Sequence, residues 1–200
     1  FNMPRFPETR LRRLRYNSRV RDLVRQTEIN INDLVYPIFI KAGDGQNTPI
    51  NSMPGLYQIP LNNLAIEIQE IVNLKIPAIL LFGIPAQKDE TGSDAYAENG
   101  IIPSAIRLIK QIAPELLIIS DICCCEYTNH GHCGTIDKHT GCLDVNNDET
   151  LKILQKQAII HAKAGADMLA PSGSMDGMVG AIRQALDNNG FESLPIFSYT

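Results

Sequence analysis

Two hundred residues, 44% of them apolar, suffice for one substantial core, and with no tryptophan and few aromatics that core has to be aliphatic. A formal charge of −4 gives no global case for nucleic-acid binding. No apolar run reaches membrane-spanning length or resembles a signal-peptide core, and the odd number of cysteines reads as reduced thiols of a cytoplasmic protein.

Residues 1–32 differ in composition from the rest. In the first twenty-five positions Arg5, Arg10, Arg12, Arg13, Arg15, Arg19, Arg21 and Arg25 face only Glu8 and Asp22, and Pro4 and Pro7 keep the start extended. Such a stretch suits nucleic acid, a membrane surface or a transit peptide, but it lacks the interleaved aromatics of a stacking platform. Leu11, Leu14, Val20, Leu23 and Val24 give it an apolar side, so the expectation is an arm docked on another surface, a neighbouring subunit.

Residues 33–200 alternate. Leu34–Ile40 reads as a first strand, followed by a Gly- and Pro-punctuated loop over 41–60. A helix over about 61–75 carries Leu64, Ile68, Ile71, Val72 and Lys75 on one stripe. Ala78–Phe82 is a second strand, and the charged loop 84–100 is a candidate lid or binding segment. Pro103 suits the first turn of a helix bearing Ile106, Ile109 and Ile112, which Pro114 ends. Leu116–Ile119 is a third strand. After the polar loop 135–147, Asn147 or Asp148 caps a helix that buries Leu151, Leu154, Ala158, Ile159 and Ala162 and stops at Gly165. Met168–Ser172 is a fourth strand, a helix from Ser174 or Asp176 runs to Gly190, and Pro195–Tyr199 is a fifth strand.

This alternation marks parallel βα units. A doubly wound sheet would carry a glycine-rich phosphate turn, and the first loop offers only Gly-Asp-Gly with no helix behind it. The reactive side chains instead gather where strands finish, as on the C-terminal rim of a (β/α)8 TIM barrel. A complete barrel takes ~250 residues, so the expectation is one truncated after about five strands, with an N-terminal arm.

The chemistry concentrates between Asp121 and Gly134. Four of the five cysteines lie there, interleaved with Asp121, His130 and His132. If the third strand continues through it, Asp121, Cys123 and Cys125 share one face and Ile122 and Cys124 the other. Residues two apart on a strand are separated by ~6.6 Å at Cα, whereas thiolates on one zinc need sulfurs slightly under ~4 Å apart. A bend at the strand end closes that gap, and Gly131 and Gly134 let Cys133 return as a third sulfur. Three thiolates with an open fourth position make a catalytic metal site. The bland alternative is a set of small buried apolar residues, the reading that suits Cys124; Cys142 reads as a loop thiol.

The pattern D-x-C-x-C-x-Y-x-x-x-G-H-C-G resembles the zinc signature of the porphobilinogen synthase (5-aminolevulinate dehydratase) family, in its cysteine-rich form. The segments L-V-Y-P-I-F, L-F-G-I-P, K-D-E-T-G-S-D-A-Y, A-K-A-G-A-D-M-L-A-P-S, S-M-D-G and F-S-Y-T extend the likeness over essentially the whole chain. The resemblance implies a barrel with an arm that wraps a partner subunit, assembled as a homo-octamer. The implied reaction condenses two 5-aminolevulinate molecules to porphobilinogen with loss of two waters, in haem synthesis. It implies zinc on Cys123, Cys125 and Cys133, with magnesium as a further ion that has no visible ligands here. Asp121 is expected in proton transfer or amino-group binding, and Ser172 as a hydrogen-bond partner of a substrate amino group. His132 is expected to hydrogen-bond around the site or to contact a second metal or the substrate, and His130 to serve the loop. His139 and His161 have no assigned role.

The competing readings are a zinc-dependent or Schiff-base aldolase on a similar barrel, a zinc module that uses the arm on nucleic acid, and an inert oligomeric scaffold. In the resembled family the Schiff-base lysines and carboxylate-binding arginines follow positions past Thr200, and Lys41, Lys75, Lys88 and Lys163 lie in other contexts. A polypeptide ending at Thr200 is therefore expected to make no porphobilinogen from 5-aminolevulinate. An aldehyde-reactive pyrrole in that mixture would refute the expectation.

Overall fold

The arginine-rich segment folds into short turns. In the computed structural model, which describes residues 4–199, the chain divides into two compact units, Phe1–Asp33 and Leu34–Thr200. The first unit holds 3₁₀ turns at Leu11–Arg15 and Ile31–Asp33 and one short helix, α1 (Ser18–Leu23), and none of these buries a residue. Asn17 Oδ1 caps α1 by accepting from Val20 N at 2.9 Å. A six-residue helix is too short to persist by propensity alone.

The second unit contains β1 (Val35–Lys41), β2 (Thr48–Pro49), β3 (Tyr57–Pro60), α2 (Leu64–Asn73), β4 (Ala78–Ile84), α3 (Ile101–Ile112), β5 (Leu117–Ile122), β6 (Ile136–Asp137), β7 (Asp144–Val145), α4 (Asn147–Ala164), β8 (Met168–Pro171) and α5 (Met178–Asp187). Six strands form one sheet in the order β2-β3-β1-β4-β5-β8, parallel throughout except where β2 meets β3. β1, β4, β5 and β8 are neighbours in chain order; α3 follows β4 and α5 follows β8, whereas the helix after β1 comes beyond β3 and the helix after β5 beyond the β6–β7 ladder. β3 adds on the outer side of β1, and from β1 through β4, β5 and β8 the order advances in one direction, as in a (β/α)-barrel wall. The helix-side core is aliphatic, with Ile38, Ile40, Ile79, Leu81, Ile106, Ile109, Ile118 and Leu169 among its buried members.

Several boundaries depart from the sequence reading. The fifth strand, Pro195–Tyr199, reduces to one parallel bridge between Leu169 and Ile196, because Pro195 has no N–H and the pairing rests on Leu169 N→Pro195 O and Phe197 N→Leu169 O. Thr200 lies outside the described residues. The third strand stops at Ile122, short of the cysteines. The loop 41–60 contains β2 and β3, and the loop 135–147 contains the β6–β7 ladder. The last helix opens at Met178, since Gly177 takes a left-handed φ of 75° that interrupts a helix from Asp176. Val72, placed on the buried stripe, is exposed.

His161 is fully buried on α4, a role the sequence reading did not assign. Its Nε2 donates to Ala95 O at 3.1 Å, so Nδ1 accepts from Ser120 Oγ at 2.8 Å on β5. Burial holds its pKa down at about 4. An unfolded chain takes up this proton near ~6.5. Between these values the unfolded state binds more protons, so stability falls as pH drops through that window. Urea melts at pH 7.5 and pH 5 are expected to show a loss of about 2 kcal/mol from this group, reduced in His161→Gln; an equal loss in both proteins would contradict it.

Candidate metal centre

The sheet ladder ends where the site begins. Ser172 N donates to Ile122 O at 3.3 Å, and beyond it the chain turns: Tyr127 N and Thr128 N both bond Cys124 O, at 2.9 and 3.0 Å. Cys123 keeps the alternation of β5 and lies on the face of Asp121, whereas Ile122 and Cys124 pack into the helix-side core. The turn carries Cys125 back toward Cys123, and their sulfurs are 3.3 Å apart. The contradiction between strand spacing and sulfur spacing is thus resolved by the bend.

Cys133 returns through Gly131, whose φ of 74° is left-handed. Its position is set from α4. A side chain at Gly134 would place Cβ 2.1 Å from Thr150 Oγ1, so only glycine lets the loop lie on the first turn of that helix. Thr150 Oγ1 accepts from Thr135 N at 3.1 Å and donates to Asn146 O at 2.6 Å. The result is a cluster of three sulfurs, Cys123, Cys125 and Cys133, all within 4.8 Å of one another. Among the described residues no imidazole or carboxylate joins that group.

The charges in this cluster conflict. The hydrogen bond shared by the two sulfurs draws the Cys123 thiol down and pushes Cys125 up. Burial, followed by the Cys123 charge, pushes Cys133 up. Left to themselves the sulfurs favour one thiolate, and a divalent cation supplies the positive charge that ionises the others. A soft, thiophilic divalent cation fits this donor set. Cys124 is buried and pushed up to about 12 by that burial, a packing thiol; Cys142 is exposed in its loop.

Asp121 stands beside the sulfurs on β5, nearly buried. Its Oδ2 accepts from Ser172 Oγ and its Oδ1 from Tyr199 OH, each at 3.1 Å. Burial first, and the Glu126 charge second, push its carboxyl up to about 7 against the lowering effect of those hydrogen bonds. Ser172 is exposed at the end of β8, so the structure joins it to Asp121 across adjacent strand ends. Tyr199 was missed as a site residue; its only signal was its place in the F-S-Y-T segment. Glu126, also missed, accepts from Cys125 Sγ at 3.2 Å.

His132 is exposed and does not enter the sulfur cluster. His130 Nε2 donates to Glu90 O at 3.1 Å and its Nδ1 accepts from His132 N at 3.2 Å, a loop role. The charged loop 84–100 is stitched to the cysteine loop by Asp89 N→Tyr127 O and Asn129 N→Asp89 O.

The family model for delta-aminolevulinic acid dehydratase matches residues 8–200. The chain belongs to that family. A delta-aminolevulinic acid dehydratase of Halalkalibacterium halodurans is 50% identical over 190 residues, covering 95% of this chain and 57% of the relative. One from Archaeoglobus fulgidus is 47% identical over 198 residues, covering 99% of this chain and 60% of the relative. The crystal structure of the Toxoplasma gondii delta-aminolevulinic acid dehydratase (porphobilinogen synthase), in complex with the reaction product porphobilinogen, superposes with a TM-score of 0.89 at 36% identity, covering 96% of this chain and 54% of that one. This dehydratase-family chain therefore spans between half and two thirds of the length of these relatives.

Gly134→Ala is expected to cost about 1–3 kcal/mol by overpacking and to weaken binding of a thiophilic divalent cation, as read by thermal melts and chelator competition. Unchanged melts and affinity would show that Thr150 gives way without moving Cys133.

Proposed function

We propose that this chain carries the metal-binding part of a porphobilinogen synthase active site, in a protein that condenses two 5-aminolevulinate molecules to porphobilinogen with loss of two waters. The observation that carries this reading is the convergence of Cys123, Cys125 and Cys133 beside Asp121 at one strand end of a dehydratase-family chain. Family membership favours it over an aldolase on a similar barrel.

Zinc is the ion we assign to the three sulfurs, and when bound it supplies Lewis acidity toward a substrate oxygen. Cys123, Cys125 and Cys133 would hold it and leave a fourth position for a reacting molecule. Asp121 presents two acceptor oxygens next to that position, oriented by Ser172 and Tyr199, and serves to take a proton from substrate or to hold its ammonium group. Ser172 Oγ, exposed at the rim, is the hydrogen-bond partner for a substrate amino group. His132, outside the cluster, is assigned to a supporting hydrogen bond around the site, ahead of contact with a second ion or the substrate. Iminium-forming lysines, which the condensation requires, are expected elsewhere in the protein.

Residues 1–32 are assigned to contacts between subunits of a homo-oligomer, an octamer on the resemblance, and the barrel portion to residues 33–200. The elements of the first unit bury nothing of their own, which suits a segment completed by a partner. We assign the protein to the cytoplasm; no described helix is long and apolar enough to cross a membrane.

At its natural length the protein is expected to convert 5-aminolevulinate to an aldehyde-reactive pyrrole, to lose that activity on zinc chelation and to regain it when zinc is restored. Asp121→Asn is expected to lower kcat by about 10²–10⁴-fold with zinc content unchanged. A chelated protein of full activity would remove zinc from the assignment, and an unaltered kcat would remove Asp121.

A further inference from the structure

We propose that Gln157 is a positioning residue for the sulfur cluster: its side-chain amide, fixed on α4, holds the Cys123 carbonyl and so sets where Cys123 Sγ meets the cation. The inference rests on the cation-site reading above and adds a residue to it that touches neither metal nor substrate.

The backbone shows why such a residue is needed. The β5–β8 ladder ends with Ser172 N on Ile122 O, and the turn that follows is closed on Cys124 O. The Cys123 carbonyl falls between the last ladder bond and the first turn bond. Its donor is Gln157 Nε2, at 3.2 Å. A ligand residue at the point where a chain leaves a sheet is free to rotate about its backbone, and rotation there swings the sulfur. One hydrogen bond from a rigid helix removes that freedom.

Gln157 is 0% exposed and sits on the core-facing side of α4 beside Leu154, Ala158 and His161. A buried amide costs more than an aliphatic side chain of the same size unless all its polar atoms are paired. Among the described residues Gln157 Oε1 meets no donor. Packing alone would favour leucine or methionine at this position, so what the amide adds is its single bond to a metal-ligand residue. Hydrogen bonds that orient metal ligands are worth about 10–100-fold in affinity.

The test uses the protein at its natural length and Co²⁺ as the probe, with Zn²⁺ in competition. Gln157→Met keeps the volume and removes the donor. It is expected to melt close to the parent, to bind Co²⁺ about 10–100-fold more weakly, and to alter the thiolate-to-cobalt charge-transfer band. Gln157→Glu, neutral when buried and then able to donate, is expected to recover part of the affinity and the parental band. His161→Gln is the control, a buried polar change on the same helix whose partners are not ligands. The proposal is overturned if Gln157→Met binds Co²⁺ within twofold of the parent, or if His161→Gln weakens binding as much. A parent that binds neither Co²⁺ nor Zn²⁺ removes the cation-site reading itself, and this inference with it.

Discussion

Three sulfurs from one stretch of chain can share a cation only where the chain has stopped being a strand. Within a sheet, alternate side chains stand too far apart for two thiolates to touch one small ion. The structure places the change of state between Ile122 and Cys124, one residue after the ladder ends, so that Cys123 inherits the face of Asp121 while Cys125 escapes the strand spacing. The rest of the site follows from that break. Ser172 and Tyr199 reach Asp121 because β8 and the bridge at Ile196 lie in register beside β5. Cys133 reaches the other sulfurs because Gly134 can lie against Thr150.

The break also concentrates negative charge. Glu126 raises Asp121 and each of the three clustered thiols, and Cys123 raises Cys125 and Cys133 in turn. A folded domain seldom gathers such groups without a compensating positive charge, because each added anion in a partly buried cluster shifts its neighbours toward their neutral forms. The arrangement is therefore unfavourable as a metal-free structure and favourable as a cation site. Its cost falls on the same few residues that a thiophilic ion would reward.

Much of this was legible in the sequence, for reasons that differ by element. β1, β4 and β5, with six or seven residues each, and the four long helices carry enough residues for a period to show, and the sulfur triad announced itself through density and spacing. β2, β6 and β7 are two residues each and leave no period to read. Pro195–Tyr199 has strand-like residue types, yet pairing is a property of what lies alongside, and only Leu169 does so here. Tyr199 joins Asp121 across 78 positions of chain, a contact no local pattern encodes. Gln157 and His161 were hidden differently. They fall on the stripe that helical spacing marks as buried, but spacing cannot say which carbonyl or hydroxyl they meet; a polar pair four apart inside an aliphatic stripe was the available signal.

That pair shows how α4 divides its work. An all-aliphatic inner face would pack the helix on the sheet at any of several small displacements, since apolar contact is non-directional. Thr150, Gln157 and His161 are fully buried and each bonds a different element: the Cys133 loop, the Cys123 carbonyl, and Ser120 with Ala95. The His161 bonds tie the helix to Ser120 and Ala95, away from the sulfurs. Through Thr150 and Gln157 the same helix acts as a ruler for the strand end, and the sulfurs of Cys123 and Cys133, on either side of the loop, are referred to one rigid body. A loop tethered only to itself would let the two drift independently, and three-sulfur geometry is lost as soon as one of them does.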